Sequence, residues 1–206
     1  MRIILLFFLA VFSFAFEVEI KKVEGKKAYL KEYVQKGLSG VVLCPYMKEE
    51  IICAKAVSFG DYAKLYVYDE LKNKAFALPI VYPKKNNKII FGKNFKRIMI
   101  IAPNQQTYLE VKKRYKGNAI ISPDVFLAFV DNEVDKNKLI KFAKIMDIGR
   151  YIFVLVDGIY EVDSYSFYVL SKKEYKGTEF KNAFFTYARN IDIKPLNYKK
   201  FFKGLK

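Results

Sequence analysis

The stretch Arg97–Val111, RIMIIAPNQQTYLEV, opens with the unbroken apolar run Ile98, Met99, Ile100, Ile101 and Ala102. Pro103-Asn104 closes the run, and helix-like sequence follows. A run without polar alternation is the pattern of a strand buried on both faces. The next strong apolar strand, Tyr151 to Val156, lies beyond more helical sequence, so the centre of the chain reads as an α/β unit. Asn104 stands at the C-terminal end of the first strand, where open α/β sheets place ligands. The same dipeptide reads equally as a turn and cap, in which Asn104 or Thr107 accepts the free N–H groups of the helix.

Towards the C-terminus, Tyr108, Leu109, Val111 and Tyr115 form one helical face, and Gly117 ends the helix. Ala119 to Ile121 reads as a short strand, and Ser122-Pro123-Asp124 as a helix start with Ser at the N-cap and Pro in the first turn. Asp135 is expected to cap a further helix through Leu139, Ile140, Phe142, Ala143 and Met146, ending at Gly149. Strand 151–156 then turns at Asp157-Gly158 into Ile159 to Val162, with a further strand from Ser166 to Leu170. Towards the N-terminus the pattern is different. Phe16 to Ile20, Ala28 to Tyr33, Val41 to Cys44, Ile51 to Val57, Ala63 to Tyr68, Phe76 to Pro79 and Ile89 to Phe91 are short strands separated by turn residues. That spacing predicts a small antiparallel barrel or sandwich. The fold class expected is therefore α+β: a β-barrel-like half over 16–95, an α/β half with a mixed sheet over 96–171, and a Lys- and aromatic-rich segment over 172–206.

Arg2, the apolar run Ile3 to Phe12, and the small-x-small signal Ser13-Phe14-Ala15 read as a signal peptide cleaved after Ala15. The run is short of the roughly 20 residues that a spanning helix needs. Export to the periplasm or outer cell surface is the expectation. Formal net charge is +16, and all but five of the 37 basic residues are lysine. Such a field attracts acidic partners, including anionic lipid headgroups, acidic glycans and acidic proteins. Nucleic acid is disfavoured as a partner, because Arg is the better fork for phosphate and base edges. Cys44 and Cys53 are the only cysteines. With Lys48-Glu49 at a hairpin tip they would face each other, and either a bridge or two buried thiols fits the residues. A bridge over so short a loop is worth about 2–3 kcal/mol.

The chain has no His, which excludes Ser-His and Cys-His nucleophile pairs and His-ligated metal sites. No phosphate-cradling or dinucleotide-binding glycine loop is present, no cofactor is expected, and the chain is read as non-enzymatic. Asp157, Glu161 and Asp163 bracket one hairpin, and 161 and 163 share a strand face, a spacing that a paired carboxylate site and solvated turn charges have in common. Solvated charges are the expectation for these three, as for Glu49-Glu50 and Asp69-Glu70. In the last nine residues Tyr198, Phe201, Phe202 and Leu205 alternate with Lys199, Lys200, Lys203 and Lys206. The pattern fits either adsorption to an anionic bilayer or docking of the rings onto the protein's own core.

A family resemblance rests on the order and spacing of several pieces. They are Leu38-Ser39-Gly40-Val41-Val42; Ile52 with Ala54 and Val57; Leu71 with Ala77-Leu78-Pro79; Ile100 to Asn104 with Tyr108; Ser122 to Phe126; and Val162-Asp163 with Ser166-Phe167. Over residues 16 to 175 the chain resembles the N-terminal domain family of the PgbA plasminogen-binding proteins of bacterial cell surfaces. It departs at Lys85-Asn86-Asn87, where a Gly-Asp is expected, and in its cysteine pair. The resemblance implies a surface protein whose partner is plasminogen and whose long charged C-terminal extension, ending in lysine, carries the binding. In this sequence Lys206, with Lys203, Lys200 and Lys199, is the candidate binding group. Kringle modules take a terminal lysine as a zwitterion of fixed length, matched by charges across an aromatic trough. The alternative is a periplasmic envelope-assembly domain that binds another envelope protein or the membrane surface.

Overall fold

A computed structural model describes residues 15–68, 80–130, 134–175, 186–187 and 197–205. The expected strand Phe76–Pro79, most of the signal sequence and Lys206 lie outside the described residues.

Six antiparallel strands close into a barrel: β1 (Phe16–Glu24), β2 (Lys27–Val34), β3 (Ser39–Tyr46), β4 (Glu49–Ser58), β5 (Gly60–Val67) and β6 (Lys88–Phe91). Their order is β1-β2-β5-β4-β3-β6, with β6 paired to both β1 and β3. Alternation puts Val18, Ile20, Ala28, Leu30, Val42, Cys44, Ala54, Ala56, Ala63, Leu65, Ile89 and Phe91 inside. Four of these are alanine, because the interior of so small a barrel has little room for side chains. Closure leaves no unpaired strand edge.

The β3–β4 hairpin turns at Met47-Lys48, with Tyr46 paired to Glu49, one residue earlier than the expected tip. Cys44 therefore lies opposite Ile51 rather than Cys53. A register shift between Val42 and Leu43 leaves Cys53 as the extra residue of a bulge, which turns it towards the core beside Ala54. There the two sulfurs are bonded, with Cα atoms 5.7 Å apart.

The second half contains β7 (Arg97–Ile101), α1 (Gln105–Arg114), β8 (Ala119–Ile121), α2 (Pro123–Phe129), α3 (Lys136–Met146), β9 (Arg150–Leu155), β10 (Gly158–Asp163) and β11 (Val169–Lys173). The mixed sheet runs β11-β10-β9-β7-β8, parallel across β9-β7-β8 and antiparallel across β11-β10-β9. As the α+β reading expects, β7 is buried throughout its apolar run. Ile98, Ile100 and Ala102 pack with Tyr108, Val111 and Tyr115 of the α1 segment. Met99 and Ile101 pack on the other face with Phe126, Leu139 and Phe142 of α2 and α3.

Local chemistry starts each helix. Asn104 is a cap: its Oδ1 accepts from Thr107 N at 2.9 Å. Ser122 caps α2 with Pro123 in the first turn, and Asp135 accepts from Lys138 N at 2.8 Å. Two turns differ from expectation. The β9–β10 hairpin turns at Val156-Asp157, with Gly158 already paired to Leu155. Gly158 has φ +152, and a Cβ there would come within 2.8 Å of Lys173 O, so glycine is needed inside the strand, against β11. The strand expected from Ser166 begins only at Val169, because Asp163 Oδ1 accepts from Tyr165 N (3.1 Å) and Ser166 N (2.8 Å) and holds 164–166 in a turn.

Candidate binding surface

The C-terminal segment is docked onto the sheet. Residues Tyr198–Phe201 form a short 3-10 turn, with Tyr198 buried 5.1 Å from the Phe153 ring. Phe202 lies 5.0 Å from Phe153 and 5.5 Å from Tyr160. Of the two readings of this segment, docking is the one observed for Tyr198, Phe201 and Phe202, while Leu205 is 42% exposed. The backbone is fixed as well: Lys203 N donates to Phe167 O at 2.8 Å, and Val169 N donates to Lys203 O at 2.9 Å. Lys136 Nζ donates to Phe201 O at 2.9 Å and sits 4.9 Å from the Phe167 ring. Burial, and then the charge of Lys203, hold the Lys136 ammonium below its ordinary value.

The four candidate lysines are placed differently. Lys199 Nζ reaches Asp157 at 2.8 Å, and the same carboxylate takes Lys172 Nζ at 3.0 Å and Tyr160 OH at 2.6 Å. Burial raises the Asp157 carboxyl, but these hydrogen bonds, with that from Lys199 foremost, outweigh it and hold the group well below the carboxylate range. Lys203 is exposed with its ammonium 5.9 Å from the Tyr168 ring, and Lys200 is exposed. Lys206 lies outside the described residues.

Asp157 is a turn charge, but Glu161 and Asp163 are not solvated. Glu161 is buried and takes Arg150 Nη1 at 2.7 Å, Lys173 Nζ at 2.7 Å and Tyr115 OH at 2.9 Å. Arg150, also buried, donates through Nε and Nη2 to Phe95 O at 3.2 and 3.0 Å, so all three of its nitrogens are engaged within the protein. Burial pushes the Glu161 carboxyl up, yet the Lys173 hydrogen bond and the Arg150 charge prevail and keep it below its usual value. Burial first, and then the Glu161 charge, raise the Tyr115 phenol, so it stays protonated and donating. Asp163, fully buried, joins the two halves: its Oδ2 accepts from Ser39 N at 2.9 Å and Ser39 Oγ at 2.7 Å. Ser166 Oγ donates to Gly37 O at 2.6 Å beside it. Burial holds the Asp163 carboxyl above its ordinary value, against the pull of the Ser166 and Ser39 hydrogen bonds. Every donor set here is internal, which is what structural anchoring requires. Among the described residues no group of three His, Cys, Asp or Glu could hold a metal ion, and no helix is long and apolar enough to cross a membrane.

These carboxyls set the pH response. Glu161 and Asp157 titrate below their unfolded values, so their stabilisation is present above the unfolded carboxylate range and is lost as pH falls through the folded values. Asp163 acts oppositely: its contribution is present below the unfolded value and lost as pH rises through the raised folded one. Glu19 and Glu24, hydrogen-bonded by Lys31 and Lys22, also titrate below their ordinary values, so the lowered carboxyls outnumber the raised Asp163. A fall in urea midpoint is expected between about pH 5 and pH 3, and Glu161→Gln should flatten that limb. A midpoint that rises on acidification would show Asp163 to dominate.

The fold is an α+β domain, a closed barrel joined to a mixed sheet, with a lysine-bearing segment pinned to the sheet edge. The family described as plasminogen-binding protein PgbA, N-terminal, matches residues 15–206, and the chain belongs to that family. Two curated relatives are plasminogen-binding proteins PgbA of Helicobacter pylori. The protein of strain J99 is 24% identical over 146 residues, 69% of this chain and 32% of the relative. That of strain 26695 is 23% identical over 180 residues, 83% of this chain and 39% of the relative. The chain thus spans about a third to two fifths of these relatives' length. No solved structure matches it.

Proposed function

We propose that this chain is an exported, non-enzymatic binding protein that captures plasminogen through lysine, with Lys206 as the primary group and Lys200 as a further candidate. Family membership and the printed names of the relatives support plasminogen as the partner. The observation that carries the site is the anchoring of the C-terminal segment. Tyr198, Phe201 and Phe202 hold it to the sheet, and two backbone hydrogen bonds fix Lys203. Two residues, Gly204 and Leu205, separate Lys206 from that anchor, a covalent reach of about 10 Å at most. A ligand group tethered so closely loses little entropy on capture. Lys199 is the weakest member of the set, since Asp157 already holds its ammonium. Packing of the rings on the core favours a protein partner over a bilayer, because insertion would first have to remove them. The test is capture of plasminogen by the chain beginning at Phe16, with and without a soluble lysine analogue. Release by the analogue is the expected outcome. Capture that persists in its presence would favour the reading as an envelope-assembly domain.

A further inference from the structure

The outer wall of the barrel carries a row of aromatic rings that the binding reading above does not use. The centroids of Tyr29, Tyr62, Phe59 and Tyr168 follow one another at 6.3, 5.5 and 6.1 Å. Tyr29 and Tyr62 are cross-strand partners on β2 and β5, Phe59 stacks on Tyr62 at 8°, and Tyr168 meets Phe59 edge-on from the other half. All four are half-buried, so each ring is fixed at its base and open at its rim. Tyr33, 69% exposed, flanks the row across Gly60, where a Cβ would come within 3.0 Å of its ring.

Ammonium groups border this row. Lys22 stands 5.9 Å from the Tyr29 ring, Lys27 5.3 Å from Tyr62 and Lys203 5.9 Å from Tyr168. Lys27 and Lys64 are direct partners in the β2–β5 register, and like charges so placed destabilise a sheet. Glu24 lies across from Lys27 on β1, but it is bridged to Lys22, so the row keeps a positive excess. The fold thus carries an unfavourable pairing that an anion would relieve.

We propose that this row binds a linear acidic polysaccharide. Ring spacing of this size is comparable to the length of one pyranose unit, and the C–H faces of sugars pack on aromatic rings. The carboxylates or sulfates of such a chain would meet Lys27, beside the Tyr62 ring, and Lys64, 5.6 Å from the Tyr66 ring. Lysine is depleted in protein–protein interfaces, which disfavours an acidic protein here, and a bilayer needs apolar side chains free to insert, whereas these rings are held to the barrel wall.

The experiment is isothermal titration of the chain beginning at Phe16 with a heparin octasaccharide and a polygalacturonate oligomer, with neutral dextran as control. The two acidic probes separate sulfate from carboxylate recognition. Binding to at least one of them, and none to dextran, is expected. Tyr62→Ala and the pair Lys27→Gln/Lys64→Gln should each weaken it by about tenfold or more. Lys113→Gln/Lys116→Gln, which removes the same charge from exposed positions at the end of α1, should leave affinity nearly unchanged. The Lys27/Lys64 pair is exposed and relieves a repulsion, so a thermal midpoint kept or raised confirms that this variant folds. Absence of binding, equal losses from the two double variants, or binding indifferent to both Tyr62 and the Lys27/Lys64 pair would overturn the proposal. Competition by a soluble lysine analogue would assign the glycan to the C-terminal lysines instead.

Discussion

Glu161→Ala is expected to cost about 3–5 kcal/mol of unfolding free energy, a fall in thermal midpoint of about 6–20 °C for a chain of this size. The reason is what it leaves behind. Arg150 keeps its bonds to Phe95 O but loses the carboxylate at 2.7 Å, and it is too deeply buried for water to replace that partner. Tyr115 OH loses its acceptor at the same time. A buried ion pair need not be a net source of stability, because desolvation of both charges opposes their attraction. Arg150→Met/Glu161→Leu should therefore recover most of the loss, and Arg150→Met alone should cost less than Glu161→Ala, because Glu161 keeps Lys173 Nζ and Tyr115 OH. Calorimetric unfolding of the parent chain, Arg150→Met, Glu161→Leu and Arg150→Met/Glu161→Leu closes this cycle. Additive losses, with the double variant the least stable, would mean that the two side chains act independently.

The second large effect is expected at the seam between barrel and sheet. Asp163→Ala removes the acceptor of four hydrogen bonds, from Ser39 N, Ser39 Oγ, Tyr165 N and Ser166 N. Buried N–H groups left without partners cost about 1–3 kcal/mol each, so a loss of about 3 kcal/mol or more follows. Asp163→Asn should cost less, since Oδ1 can still serve the turn while its amide nitrogen faces Ser39. Amide hydrogen exchange is the sharper readout. The Ser39 and Ser166 amides should lose protection in Asp163→Ala while those of β7 keep theirs. Uniform loss across both halves would show that the seam and the core unfold as one unit.

The resemblance to the PgbA family and the α+β architecture were legible because both depend on patterns that survive without tertiary knowledge. The run from Ile98 to Ala102 has the pattern of a two-sided strand, and Asn104, Ser122 and Asp135 each announce a helix start through a single local hydrogen bond. Turn positions were less legible. Met47 and Val156 are not turn formers by type, and the register that puts them at loop tips is set by the bulge at Cys53 and by the contact of Gly158 with Lys173. Burial of charge leaves no local mark in the sequence. Glu161 and Asp163 alternate along a hairpin as surface charges do, and only the partners from distant segments, Tyr115, Arg150 and Ser39, bring them inside. The aromatic row was missed for a related reason. The alternation Lys27-x-Tyr29 and Tyr62-x-Lys64 marks an outer strand face, but its continuation to Phe59 and Tyr168 exists only once the barrel meets the sheet.

Lysine-dependent capture of plasminogen is tested most directly by surface binding of plasminogen to the chain beginning at Phe16, compared with the same chain lacking Lys206. Loss of binding on removal of that one residue, with the circular dichroism spectrum and thermal midpoint unchanged, is the predicted result. Binding of equal affinity without Lys206 would contradict it.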